Sequence, residues 1–283
     1  MKDCSLPTRL VVWVQGGGDL GTGVAHRLHR AGLAVVVTET SPPLVIRRAV
    51  AFANAVFEGR WEVEGVTAVL VTTAAEARAA LANGDVPVLV DPAGETALAL
   101  APRAVVDARM LKTSAGPAWR GQMIAIGLGP GFAAGVDVDA VVETQRGHYL
   151  GRVILSGSAA PNSGVPGAVG GVGQERVLRS PADGRLCCSV QIGDRVEAGR
   201  VLATVSGQPV TAAISGVVRG LLHDGQETTR GSKIGDIDPR GVRDYCFTIS
   251  DKARAIGGGV LEALMLLSRS AGDVAPQASS LGE

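Results

Sequence analysis

The sequence predicts an α/β protein: a parallel-sheet domain, then a separate all-β unit, then a C-terminal helix that returns to the first domain. Three observations predict it. Short β-branched runs alternate with helical apolar periods through the first hundred residues, a Gly/Ser/Ala/Pro-rich stretch breaks that pattern at residues 156–173, and the segment after it repeats itself at a shift of 32 residues. The chain has 283 residues, 46% apolar and 19% charged, which is enough for about two domains, each with its own core.

Residues 9–14 (RLVVWV) read as a buried strand, GGGDLG at 16–21 as a turn, and the apolar spacing of Val24, Leu28 and Ala31 as a helix. Gly32 ends that helix and residues 33–37 form a second strand, completing a βαβ unit. Strand-like runs at 68–71, 86–90 and 104–106 are separated by helical stretches at 74–82 and 95–100, as crossovers in a parallel sheet require. A further strand at 123–126 leads into GLGPGF, and runs at 140–144 and 152–156 flank QRGHYLG as an antiparallel extension. The first domain is thus Rossmann-like and spans residues 1–156.

Residues 157–175 read as a linker and 176–240 as the second domain. There, the 32-residue shift aligns Gly184 with Gly216, Leu186 with Val218, Gly193 with Gly225, Gly199 with Gly231, Leu202 with Ile234 and Val205 with Ile237. Glycines at turns and apolar residues on one buried face make this pattern resemble the two halves of biotinyl and lipoyl domains, the barrel-sandwich hybrid. Their modified lysine sits in the hairpin joining the halves; here that joint reads VSGQPVTAA, and the domain's one lysine, Lys233, lies elsewhere. That argues against a swinging-arm carrier. Residues 241–272 hold a strand-like YCFTI and a helix at 250–269 that packs on the α/β domain, its Gly257, Gly258 and Gly259 implying close backbone approach. Residues 273–283 read as a disordered tail.

Composition excludes several function classes. Lys+Arg and Asp+Glu both number 27, and aromatic residues are only 3% of the chain, so neither a basic field nor stacking platforms point to nucleic acid. Four cysteines without a CxxC spacing, no export signal and no bilayer-length apolar run make the expectation a cytoplasmic protein with no membrane contact. Cys187 and Cys188, adjacent on a strand, point to opposite faces and read as packing residues rather than metal ligands. Four scattered histidines and the lack of HExxH, GxSxG or Walker A patterns leave metal, hydrolase and phosphotransferase templates unsupported.

Gly16-x-Gly18-x-x-Gly21, directly after a strand and opening a helix, carries the strongest chemical signal, with Glu39 at the end of the next strand, 18 residues beyond Gly21. Such glycines let a backbone approach phosphate, the helix N-terminus favours its charge, and a carboxylate at Glu39 suits ribose hydroxyls. Gly17 belongs to the same loop. Asp19 there either repels a phosphate, unless a cation intervenes, or caps the helix. Arg47 is suited to an anion, Gly127, Gly129 and Gly131 form a second turn able to present N–H groups, and Glu143, Arg146 and His148 cluster near a hairpin tip.

Longer blocks, GGGDLGTGVAHRL, ETSPPLVIRRAVAFANAVFEG, VDPA, VETQRGHYLGRVI, NSGVPG, KIGDIDPRG and SDKARAIGGGVLEAL, resemble the YqeB-type family of selenium-dependent molybdenum hydroxylase system proteins from about Leu10 to Leu267. The resemblance implies an accessory role toward molybdenum hydroxylases of the xanthine dehydrogenase class, and it carries over Gly16, Gly17, Gly18, Asp19, Glu39, Arg47, Asp91, Asp107, Lys112, the 127–132 turn, Glu143, Arg146, His148 and residues 251–259 without a transferable role for any. Gln15 replaces the family's usual Arg, and Ser114 an Asn. The functional expectation is a maturation factor that binds a phosphate-bearing ligand, the molybdopterin cofactor or a nucleotide, at residues 16–21, with Arg47, Lys112, Lys252 or Arg254 as countercharge and the β domain as a docking surface for the hydroxylase. An NAD(P)-dependent oxidoreductase, with Glu39 on the ribose and His148 or Lys112 as proton donor, and a ligand-free scaffold are the alternatives.

Overall fold

A computed structural model describes residues 10–113, 119–165 and 167–272, with no side-chain detail for 270–272; Ser114 and the tail from 273 lie outside the described residues. The first part runs β1 (Val11–Gln15), α1 (Asp19–Arg30), β2 (Ala34–Glu39), α2 (Ala55–Glu58), β3 (Arg60–Val63), β4 (Val66–Val71), α3 (Ala74–Ala82), β5 (Val86–Val90), α4 (Glu95–Leu98), β6 (Ala104–Asp107), β7 (Ile124–Leu128), β8 (Ala133–Ala134), β9 (Ala140–Val142), β10 (Val153–Ile154) and β11 (Gly157–Ser158). The second runs β12 (Val177–Arg179), β13 (Gly184–Cys188), β14 (Arg195–Val196), β15 (Val201–Val205), β16 (Gln208–Thr211), β17 (Gly216–Leu221), β18 (Glu227–Thr228) and β19 (Lys233–Asp238), and α5 (Asp251–Gly272) closes the described chain.

Nine strands form one sheet in the order β10-β9-β7-β6-β1-β2-β5-β4-β3, parallel except for the edge strands β10 and β3. Its central strands are buried on both faces, which is why they read as continuous β-branched runs. Alternation sends Val12 and Val14 to the face covered by α1 and α5, and Trp13 to the face covered by α3 and α4.

Several expectations are corrected. The strand at 140–144 is the shorter β9, parallel to β7, so only β10 is an antiparallel extension. YCFTI is not a strand: Arg243–Cys246 forms one 3₁₀ turn that buries Cys246. Residues 157–175 are not wholly a linker, since β11 pairs with β8. Cys187 is exposed rather than packed. The proline- and alanine-rich stretch after β2, without periodicity, folds into two single 3₁₀ turns, Arg48–Val50 and Phe52–Asn54, before α2.

The second part consists of two four-stranded sheets, β12-β19-β17-β14 and β16-β15-β13-β18. The 32-residue shift carries β13 onto β17, β14 onto β18 and β15 onto β19, so each sheet draws strands from both halves and the halves interlock. Leu186, Leu202, Val205, Val218, Ile234 and Ile237, the aligned apolar positions, fill its core. Ser206 and Gly207, both with positive φ, make the tight turn where a carrier would hold its lysine. The unit is fastened to the first part by the Leu221 N–H donating to the Ile46 carbonyl at 2.8 Å and by Arg48 Nε donating to the Leu221 carbonyl at 2.9 Å.

Helix α5 lies against α1 at backbone distance. A Cβ on Gly23 would stand 2.7 Å from the Ala253 Cβ, one on Gly257 2.8 Å from the Gly23 carbonyl oxygen, and one on Gly259 2.1 Å from the Gly151 carbonyl oxygen, whereas one on Gly258 would meet nothing within 4 Å. Gly23→Val is therefore expected to lower unfolding free energy by about 2–3 kcal/mol through overpacking, and Gly258→Ala to raise it by about 0.5–1 kcal/mol through helix propensity; urea denaturation of the two variants checks both signs.

Candidate functional site

The β1–α1 loop shows what each of its glycines is for. Gly16 has φ +94°, and a Cβ on Gly21 would fall 2.0 Å from the Gly16 carbonyl oxygen. A Cβ on Gly17 would press on the Ala53 nitrogen at 2.9 Å, while one on Gly18 would meet nothing within 4 Å. Gly18 is the N-cap of α1 and supplies no side-chain cap, so the first amides of this twelve-residue helix have no capping side chain at their positive end.

Glu39 is turned into the loop. Its Oε2 accepts the Gly17 N–H at 2.8 Å, and its Oε1 accepts the Thr40 N–H at 2.9 Å and the Thr40 hydroxyl at 3.2 Å. The Gly17 carbonyl in turn accepts the Ala53 N–H and the Thr22 hydroxyl. The carboxylate expected to hold a ribose is thus engaged in closing the loop, and the segment around Ala53 covers Gly17. That is a poor seat for a dinucleotide.

In front of the α1 N-terminus lies a cleft of about 530 Å³, walled by the loops at the ends of the parallel strands on one side and by the sheet β12-β19-β17-β14 with the turn before it on the other. Seven cations (Arg47, Lys112, Arg146, Arg176, Arg219, Lys233, Lys252) and two carboxylates (Asp19, Asp236) line it among the described residues. A chain of zero net charge concentrates positive potential there.

Arg47 organises the α1 end. Its guanidinium approaches Asp19 at 3.4 Å and donates to the carbonyls of Tyr245 and Thr248, with its Nε left without a partner. Asp19 is therefore met by a cation and does not cap the helix. Lys252 lines the cleft with Asp19, and burial, only partly offset by the Asp19 charge, pushes its ammonium below the usual lysine range. On the opposite wall, Arg176 Nη1 bonds Asp236 Oδ2 at 2.6 Å, with Lys233 at 3.9 Å. Arg219 is buried there, its proton affinity lowered first by desolvation and then by Arg47.

The structure brings Asp19, Arg47, Lys112, Arg146 and Lys252 to one cleft and leaves other candidates outside it. Arg254 is held by both Glu64 oxygens, at 2.7 and 2.8 Å, away from the cleft walls. His148 is exposed against Tyr149 and does not line the cleft. Glu143 is buried, accepting the N–H groups of Gln145 and Ala160. The 127–132 turn is packed rather than open: Cβ atoms on Gly127, Gly129 and Gly131 would strike Phe132, Thr144 and Leu111, and the Gly129 N–H goes to the Val142 carbonyl. Asp91 caps α4, accepting four backbone N–H groups from Gly94 to Ala97. Asp107 binds Arg109. Sequence reasoning missed Arg176, Arg219 and Asp236, which no local motif marks among the many charges of the second part.

Among the described residues no group of three or more His, Cys, Asp or Glu is placed to hold a metal ion, and no helix is long and apolar enough to cross a membrane. No family model matches the chain. The "uncharacterized protein YqeB" of Escherichia coli (strain K12) is 50% identical over 257 residues, 91% of this chain and 48% of that protein, so the chain spans about half the length of this curated relative. Of solved structures, an aspartoacylase family protein from Mesorhizobium loti aligns over 82% of this chain and 85% of its own at 11% identity and a TM-score of 0.26. The product-bound ectoine utilization protein EutE (DoeB) from Ruegeria pomeroyi aligns over 30% and 27% at 21% identity and a TM-score of 0.21. Likenesses so slight carry no argument about this chain.

Arg146 also clasps Asp251 at the start of α5 through two bonds of 2.6 and 3.0 Å, and this, ahead of the Lys252 N–H, holds the Asp251 carboxyl down at about 2. A depressed folded value means the pair stabilises the protein above the unfolded carboxyl value and loses that contribution as pH falls from about 4 toward 2. Because Asp251 is largely exposed, the contribution at pH 7 is expected to be below about 1 kcal/mol. The stability gap between wild type and Asp251→Asn, measured by urea denaturation, should shrink over that acid range, and the Asp251 carboxyl should titrate near its depressed value by NMR.

Proposed function

The chain belongs to the YqeB family, and from that premise we propose that it is an accessory factor that holds a phosphate-bearing small molecule, the molybdopterin cofactor or a nucleotide, for a molybdenum hydroxylase of the xanthine dehydrogenase class. The observation that supports the ligand is the cationic cleft at an uncapped helix N-terminus, with Arg47, Arg219 and Lys252 converging on it. The hydroxylase as client rests on the family resemblance of the sequence blocks.

On this reading the sheet order, with β1 central and α1 following it, is a Rossmann-like arrangement put to a different use. The phosphate lies in front of the α1 N-terminus, against free amides and the guanidinium of Arg47, instead of inside the glycine loop. Asp19 steers Arg47, and Lys112 and Lys252 supply further countercharge. Such groups fit a phosphate by charge and by donor chemistry. The interlocked β unit is a barrel-sandwich hybrid without a carrier lysine. Its sheet β16-β15-β13-β18 contributes nothing to the cleft lining among the described residues and serves as the docking face for the client.

Native mass spectrometry of protein purified anaerobically from a host that makes the molybdenum cofactor tests the ligand directly. A pterin-sized adduct is expected; a dinucleotide mass would support the oxidoreductase reading, and an empty protein the scaffold. Gly18→Asp is expected to abolish the adduct, because an N-cap carboxylate takes the first-turn amides and opposes the phosphate. It should do so with stability unchanged or raised by up to about 1 kcal/mol, since Asp caps helices and the position has open space. An adduct retained by the folded variant would count against a phosphate at this helix.

A further inference from the structure

The β unit walls the cleft with strands whose repeat partners are different in kind. Where β17 has Arg219, β13 has Cys187 32 residues earlier; where β19 has Lys233 and Asp236, β15 has Val201 and Thr204. The apolar positions that build the core are matched in both halves, so the fold of the unit does not call for these charges. They stand only on the copy that faces the cleft.

Arg219 is the least compensated of them. Its side chain is 9% exposed, its Nε has no hydrogen-bond partner, and no hydrogen bond of its guanidinium is found among the described residues. The nearest carboxylate oxygen, Asp238 Oδ2, lies 3.7 Å away and is already bonded by Arg240 at 2.6 Å. Asp236, the other acid near it, is taken by Arg176, and Arg47 and Arg240 add repulsion. A buried guanidinium so placed is costly unless an anion joins it.

Arg47, Lys112, Arg219, Lys233 and Lys252 against Asp19 leave four positive charges in excess along the cleft among the described residues, more than a singly charged diester answers, while Arg146 and Asp251, and Arg176 and Asp236, cancel one another. We infer that Arg219 contacts the ligand, and that the group it receives is the dianion of a phosphate monoester rather than the single charge of a phosphodiester. A monoester offers three terminal oxygens and carries about −1.5 to −2 at pH 7, which matches two guanidiniums arriving from different walls. A diester has two free oxygens and one charge. This inference rests on the phosphate-ligand reading above and narrows it. The bound phosphate would also join the β unit to the α/β sheet, since Arg47 and Arg219 belong to separate parts.

Calorimetry at pH 7.5 with phenyl phosphate and with methyl phenyl phosphate, on the full chain, tests it. The monoester is expected to bind at least about tenfold more tightly than the diester, a difference of about 1.4 kcal/mol. Arg219→Met should lose at least about tenfold in monoester affinity, Arg219→Lys should recover part of it, and the ligand-free Tm of Arg219→Met should be equal to or above wild type, because a buried charge with no hydrogen-bonded counterion has been removed while Asp238 keeps Arg240. Equal affinity for the two esters would overturn the monoester assignment and leave the phosphate site standing. Wild-type affinity in Arg219→Met, or a lowered Tm in that variant with the ester preference kept, would overturn the role of Arg219. Failure of the wild type to bind either ester would overturn the phosphate-ligand reading itself.

Discussion

The cleft exists because one irregular stretch of chain, residues 43–48, is bonded on both sides. Its Ile46 carbonyl receives the Leu221 N–H from β17, its Pro43 carbonyl receives Gln226 Nε2, and Arg48 returns a bond to the Leu221 carbonyl. From the same stretch, Arg47 reaches Asp19 at the start of α1 and two carbonyls just ahead of α5. A backbone hydrogen bond of this kind contributes about 0.5–1.5 kcal/mol, and the cost of leaving its groups buried and unpaired is larger. The β unit is consequently held at one place, and its charged sheet meets the N-terminus of α1. Lose that joint and the cations scatter over two separate surfaces.

Much of the fold was legible because it follows from period. The alternation of Val12, Trp13 and Val14 set the two faces of the sheet, the Ala- and Val-rich alternation set the crossovers, and the 32-residue shift set the paired strands of the β unit. The three glycines of α5 were also readable, although Gly258 makes no close approach and only its neighbours do. What escaped had no period. Residues 43–54 owe their shape to tertiary bonds, and YCFTI, with apolar residues that suit a strand, turns instead so that Cys246 fills the space under β17.

The site was legible in part, for a physical reason that Glu39 illustrates. A glycine loop followed by an acidic residue at the end of the next strand is compatible with two arrangements, one in which the carboxylate reaches outward to a ligand and one in which it satisfies the loop's own amide. Sequence spacing does not distinguish them; the bond from Gly17 does. The same holds for the 127–132 turn, whose glycines answer to Phe132, Thr144 and Leu111 rather than to a ligand. Arg219 is the converse case: nothing near it in sequence marks it, and its meaning comes from Asp238 being already claimed by Arg240.

Uncompensated charge and close packing are distributed unevenly in this molecule, and the unevenness is informative. Where α1 meets α5 the backbone is packed to contact, and the parallel strands around β1 are buried on both faces, so those parts have little freedom to reorganise. Around the cleft, by contrast, Arg47 and Arg176 each keep an unpartnered Nε, Arg219 has no hydrogen-bonded counterion, and Lys252 is partly desolvated. A folding sequence gains nothing from such groups, since apolar residues of similar volume would be as stable or more so. On the proposed reading, part of that cost is recovered when an anion occupies the space between them. An ionic ligand held at a partly buried site is screened less by salt than one on an open surface, and its binding draws on desolvation already met during folding. The rigid sheet and the paired helices supply the frame, and the unpartnered cations left at the cleft are what the proposed phosphate would meet.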